Sequence, residues 1–360
     1  MKRDFREYKK RHLAFWEMSE VDRPLIGFTI GAGLDSWSYW QSNKAVRGLL
    51  NRDQVLARDI NPADFVEDQL KYLELSDQID DDVCRTAMPL ASIPWMEAIL
   101  GCPIFSTDVN MKSKEILDNA ASLQSHQFDP KNPWIEKYLQ FIQVYTQAFG
   151  TQYPVAQSVL RGPSDLACAL MGAENATMAL AMEPQAMFKL LNYVTGQLEE
   201  FLRLHLKILP AFQNGYVIGQ YEIWAPAPAI RIQEDFSVLY SPQYYSEFLK
   251  PMDERLASLS SYTLIHLHAP SLFLIDHFLE VSQINAFQVT KDVGSAILSE
   301  MIPALLKIQQ AGKPLIVKGQ FDDDDLDLLK KNLSLRGLCI QPVVGGLAEA
   351  EKMLPKLKKW

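Results

Sequence analysis

The chain has 360 residues, 48% of them hydrophobic and 22% charged, with 35 Lys and Arg against 44 Asp and Glu for a net charge of -9. That balance belongs to a globular protein with a large core and excludes a disordered chain. The acidic excess and the lack of a concentrated basic run set aside nucleic acid and anionic membranes as main partners.

The segment after Met1, KRDFREYKKRHLAFW, is too charged for the apolar core of a secretory signal. No later segment offers the ~18 uninterrupted apolar residues that a membrane-spanning helix needs. The expectation is a cytoplasmic protein. Cys84, Cys102, Cys168 and Cys339 are far apart with no CxxC pair, which points to neither a disulfide framework nor a cysteine zinc knuckle.

In chain order, residues 4–20 read as an amphipathic helix whose Leu13, Phe15, Trp16 and Met18 cover one end of a core. The apolar run 24–30 is a first buried strand, closed by Gly31-Ala32-Gly33. Neither GxGxxG nor a P-loop occurs, so nucleotide binding has no support. Helices are expected over 62–75, from Trp95 and over 133–149, separated by the acidic run Asp80-Asp81-Asp82. The run 154–160 is a strand that ends in Arg161-Gly162-Pro163-Ser164-Asp165 and enters a helix. Two helical stretches through 184–207 lead to a strand over 216–223 and an irregular segment, 224–235.

Residues 261–292 then pack a strand, a turn, a short helix and a second strand into one unit. Alternation over 262–268 places His266 and His268 on one face of the strand with Leu267 on the other. Pro270 opens a short helix, and the next strand, 284–290, ends in Thr290-Lys291-Asp292. Helix 296–310, strand 314–318, helix 324–333, strand 337–342 and a helix from Leu347 complete the chain. About eight strand–helix alternations favour a closed (β/α)8 TIM barrel over an open sheet. With no internal repeat or linker, residues 1–360 are read as one such domain, with 1–23 as a helical extension.

Several segments together resemble the uroporphyrinogen decarboxylase superfamily: Asp22-Arg23-Pro24, PWMEAILGCP at 94–103, RGPSDLACALMG at 161–172, EDFSVLYSPQYYSEFLKP at 234–251, HLHA at 266–269 and IVKGQFD at 316–322. The resemblance spans nearly the whole chain and implies the same barrel. It also implies one of two chemistries, tetrapyrrole decarboxylation or zinc-dependent methyl transfer between a corrinoid and a thiol, and a homodimer. The decarboxylase needs an arginine-bearing loop after the first strand to hold a polycarboxylate. Here that loop, GAGLDSWSYWQSN, carries no Arg or Lys before Lys44. In the methyltransferases His266 corresponds to the first zinc ligand and His268 stands where they have a cysteine. Their third ligand falls at Val344, which cannot ligate. Cys339 substitutes only in a different register.

Each candidate has a functional and a bland reading. His266 and His268 are metal ligands, or acid/base groups, or hydrogen-bonded core histidines. Glu222 is a base or the missing ligand, or a solvated loop acid. Asp235 is a pocket carboxylate or a helix cap. Arg161 binds a substrate anion or pairs with an acid such as Asp165, and Lys318 is a similar strand-end cation. Trp37, Tyr39, Trp40 and Trp224 wall an apolar or methylated ligand, or simply pack. The acidic run from Asp322 to Asp325 reads as a helix N-terminus.

The leading expectation is a methyl- or alkyl-transferring enzyme of the superfamily, with zinc on His266 and His268, Glu222 completing the site or acting as base, and a corrinoid or small molecule as substrate or partner. The alternative is a tetrapyrrole decarboxylase of porphyrin biosynthesis, using Asp235 or the Asp80 to Asp82 patch and Arg161. A third reading is a non-catalytic binding barrel.

Overall fold

The computed structural model describes residues 5–31, 44–108, 110–294 and 297–360. Its centre is a parallel sheet. Strand Ala229–Gln233 pairs with Tyr262–His268, which pairs with Ala286–Lys291, then Leu315–Gly319, then Leu338–Val344. Two short strands near the start of the chain, Leu25–Ile26 and Thr29–Ile30, both pair parallel with Leu338–Val344. Helices connect successive strands and cover the sheet, a TIM-barrel-like α/β arrangement. No helix among the described residues is long and apolar enough to cross a membrane.

The arc between Ile30 and Ala229 is joined largely by other means than strand ladders. Asp82 donates its N–H to the Ile26 carbonyl at 2.7 Å, and its carboxylate accepts from the Ile26 N–H at 2.9 Å. The Asp81 carboxylate accepts from the Phe28 N–H at 2.9 Å. Ala87 and Val155 form a parallel bridge. The Gln157 amide then replaces a ladder rung, donating to the Arg231 carbonyl at 2.8 Å and accepting from the Arg231 N–H at 3.0 Å. Asp81 and Asp82 are thereby structural. Asp82 also pairs with Arg23 at 2.9 Å, so two acids of the patch expected to touch a substrate hold the fold, while Asp80 makes an exposed pair with Lys358 at 2.5 Å.

Three strand expectations need correction. Residues 216–223 are not a barrel strand but part of an antiparallel hairpin, Tyr216–Ile218 with Ile223–Ala225. The barrel strand is Ala229–Gln233, within the segment expected to be irregular. Its prolines, Pro226 and Pro228, precede the strand, where no ladder N–H is needed. Residues 154–160 carry only the isolated bridge at Val155, because Gln157 makes the next joint through its side chain.

The two-residue period sorts side chains into layers. Thr263, Ile265 and Leu267 face the helices, and Leu264, His266 and His268 face inward. Leu25, Leu264, Ala286, Ile316 and Cys339 form one apolar interior cluster with Tyr221 and Ile223 of the hairpin. Cys339 is thus fully buried packing, remote from any ligand role. Two residues further along the same strands come Arg231, His266, Gln288, Lys318 and Gln341. Tyr221 rises into this polar layer: its ring lies 5.5 Å from Lys318 Nζ and 6.0 Å from the Arg231 guanidinium, and its carbonyl accepts from Gln341 at 2.7 Å. The N-terminal helix Phe5–Trp16 packs against the hairpin, with His12 Nδ1 accepting from the Trp224 N–H at 2.9 Å. The acidic run is a helix start as expected, Asp322 and Asp325 forming reciprocal caps on Asp323–Asn332.

Candidate functional site

His266 and His268 both face the interior, and their Nε2 atoms stand 3.0 Å apart. Strand spacing alone accounts for this, since residues two apart share a face. Asp235, at the first turn after strand Ala229–Gln233, brings its Oδ1 to 3.7 Å from His266 Nε2 and 3.8 Å from His268 Nε2. Those three atoms form the one group of three or more His, Cys, Asp or Glu ligand atoms within 4.8 Å of each other among the described residues.

Each corner is held from behind. The His268 Nδ1 lies 2.8 Å from both oxygens of Asp292. The His266 Nδ1 meets Gln288 Oε1 and, at 2.9 Å, the Tyr221 hydroxyl. Asp235 Oδ2 accepts from Gln233 Nε2 at 2.8 Å, and the same amide donates to Asp165 at 2.8 Å. Asp165 also accepts the Phe236 N–H at 2.8 Å, so the RGPSD turn clamps both sides of Asp235. About a third of the Asp235 side chain is exposed, yet its Oδ1 is sealed from solvent and has no hydrogen-bond partner.

The charges follow from these surroundings. Burial, then the charges of Arg231 and His268, push His266 well below its ordinary value. Burial also works against a charge on His268, but its bond to Asp292 and the nearby Asp235 and Asp292 carboxylates outweigh it and raise the group. Asp235 is pushed up to about 7, mainly by burial and next by Asp165, against the pull of His268, Arg231 and Arg161. A buried acceptor with no donor, facing two imidazole nitrogens, is a donor set chemically suited to a divalent transition metal. Fit is good: a point roughly 2.1 Å from all three atoms exists within this triangle, the length of Zn–N and Zn–O bonds.

The other sequence candidates divide. Lys318 lies in the same polar layer as His266, close enough for its charge to act on that imidazole. Arg161 begins the neighbouring RGPSD turn, pairs with the buried Glu97 at 3.1 Å instead of Asp165, and leaves 48% of its side chain exposed. Glu222 does not join the histidines: it sits in the hairpin turn with φ 57°, and its carboxylate takes a 2.6 Å bond from the buried Arg85. Trp224 also lies elsewhere, buried beneath the N-terminal helix with its indole N–H on the Phe212 carbonyl at 3.2 Å. Trp37, Tyr39 and Trp40 fall outside the described residues. Val344 ends its strand buried, and Asp235 supplies the third corner instead.

Sequence reasoning passed over Asp292, Gln288 and Tyr221. For two of them the signal was present: in register His266 faces Gln288 and His268 faces Thr290, with Asp292 two residues on. Tyr221 gave none, because its turn was read as strand.

No protein-family profile matches the chain, and no curated protein matches it in sequence. Among solved structures, a methyltransferase from Methanosarcina mazei is similar with a TM-score of 0.65 over 98% of both chains, at 16% identity. At that identity the likeness establishes a shared α/β fold across the full length.

Proposed function

We propose that this chain is an enzyme that transfers a methyl or small alkyl group to a thiol, a divergent member of the uroporphyrinogen decarboxylase superfamily on a closed single-domain barrel, with zinc held by Asp235, His266 and His268. One observation carries the reading: Asp235 Oδ1, buried and without a partner, converges with two Nε2 atoms at spacings one cation can satisfy. The fold it shares with a methyltransferase supports the reaction type.

Asp235, His266 and His268 would hold the ion, which would supply the Lewis acidity that keeps a substrate thiol as thiolate near neutral pH. The protein supplies the rest. Asp292 orients His268, the partly exposed ligand on the open side, and Gln233 and the RGPSD turn orient Asp235. Arg161, half exposed and close enough to act on Asp235, would hold an anionic group of the thiol or of the methyl carrier, for which a corrinoid is the candidate. As the thiolate attacks, the new S–C bond forms while the bond from the alkyl carbon to its carrier breaks, with the electron pair staying on the carrier.

Tetrapyrrole decarboxylation has less support, since Asp81 and Asp82 are committed to structural contacts and Asp235 converges with the two histidines. The deciding experiment is elemental analysis of purified full-length protein, followed by thiol methylation with methylcobalamin as donor. About one zinc per chain, lost in Asp235→Ala and His268→Ala, is expected. A protein that neither retains nor takes up a divalent metal overturns the reading.

A further inference from the structure

We propose that Gln288 is a positioning residue that selects the tautomer of His266, leaving the lone pair on Nε2 and directed into the site. Its consequence for metal binding rests on the zinc reading above; the geometry does not.

A neutral imidazole carries one hydrogen, on Nδ1 or on Nε2, and only the nitrogen without it can ligate. Three groups touch the nitrogens of His266. On the Nε2 side, His268 Nε2 lies at 3.0 Å and, with its Nδ1 bonded to Asp292, accepts when that ring is neutral and donates when it is charged. On the Nδ1 side, the Tyr221 hydroxyl lies at 2.9 Å and can also do either. Neither decides the tautomer. The third group, Gln288 Oε1, can only accept, so it requires the hydrogen on Nδ1 and leaves Nε2 bare.

Gln288 is itself tethered. It lies fully buried beside His266 in the strand register, and its Nε2 donates to Thr290 Oγ1 at 3.0 Å while its amide oxygen faces the imidazole. Without that oxygen, Tyr221 is the remaining group at Nδ1. Its hydroxyl can then donate to the ring and stabilise the form with hydrogen on Nε2, which cannot bind a metal. Outer-shell partners of this kind affect metal affinity by about 10–100-fold.

The test uses full-length protein labelled with 15N-histidine. Nitrogen chemical shifts of the metal-free protein give the tautomer, and chelator competition gives the zinc affinity. Wild type, Gln288→Glu and Tyr221→Phe are expected to keep His266 as the Nδ1–H form. Gln288→Leu should move it to Nε2–H and weaken zinc binding about 10–100-fold. Thr290→Val, which frees the amide without removing it, should give a partial shift, and it replaces Gln288→Leu as the deciding variant if that protein does not fold. A Gln288→Leu protein that is folded and still Nδ1–H overturns the proposal, as does an unshifted Thr290→Val. Should wild type bind no zinc while the tautomer pattern appears as stated, the metal reading fails and the positioning role stands.

Discussion

The Asp292 carboxylate faces His268 Nδ1 with both oxygens at 2.8 Å, from the end of the neighbouring strand. The contact commits Nδ1 as donor and points Nε2 toward His266 and Asp235. Asp292→Asn keeps the shape but can turn its NH2 toward the ring. Zinc affinity is expected to fall about 10–100-fold, read by chelator competition. An unchanged affinity would mean that the strand alone orients His268.

The turn that supports Asp235 depends on a glycine. A Cβ at Gly162 would lie 1.6 Å from the Gln233 carbonyl oxygen, which no side-chain adjustment can relieve. Gly162→Ala must therefore separate the RGPSD turn from the strand end, breaking the Asp165 contacts that flank Asp235. The expectation is a loss of about 1–3 kcal/mol in stability together with loss of zinc. A variant with wild-type melting temperature and metal content would refute this dependence.

The part of the site that lies on one strand was legible in the sequence, because a period of two places His266 beside His268 without knowledge of the fold. Asp235 was legible only through the family resemblance of its turn, since the strand before it was read as irregular, and Arg161 as the close of a run that carries one isolated bridge. What was hidden depended on long-range joints. Glu222 looked available until Arg85, 137 residues earlier, was found to hold it. Trp224 belongs to a hairpin that continuous apolar patterning does not distinguish from a strand. The missed strand Ala229–Gln233 alternates Ile230 and Ile232 with Arg231 and Gln233, and its inward polar residues suit an interior filled with side-chain hydrogen bonds.

His205 makes a pH prediction. It is fully buried on helix Pro184–Ile208, with the Tyr138 hydroxyl at 3.4 Å from Nδ1 and no partner for Nε2. Burial lowers it from 6.5 to about 4. Between those values the unfolded chain binds the proton and the folded chain does not, so stability is present above pH 6.5 and is lost as pH falls toward 4. Relative to His205→Phe, the wild type should lose about 2 kcal/mol more between pH 7.5 and 5. Denaturant midpoints at the two pH values measure it. Parallel pH profiles would show that His205 titrates normally.

The last expectation concerns the buried arginine that ties the first strand region to the hairpin. Arg85 is 2% exposed and bonds Asp81 at 2.6 Å, Glu222 at 2.6 Å and the Phe28 carbonyl at 3.2 Å, joining the first strand region to the hairpin that carries Tyr221. One guanidinium serves two carboxylates, so the arginine offsets part of their charge. Arg85→Met fills similar volume and leaves both acids without their cation, which should cost about 3–5 kcal/mol. Adding Asp81→Asn and Glu222→Gln removes the stranded charges and should recover much of the loss, since the penalty lies in uncompensated charge and not in lost attraction. Because Tyr221 is adjacent to Glu222 and contacts His266, the single variant should also loosen the proposed metal site, whereas the triple variant should restore it. Urea midpoints and zinc content on the same preparations test both parts. A triple variant no more stable than Arg85→Met would show that the arginine acts through geometry, by bridging two segments, and not through charge.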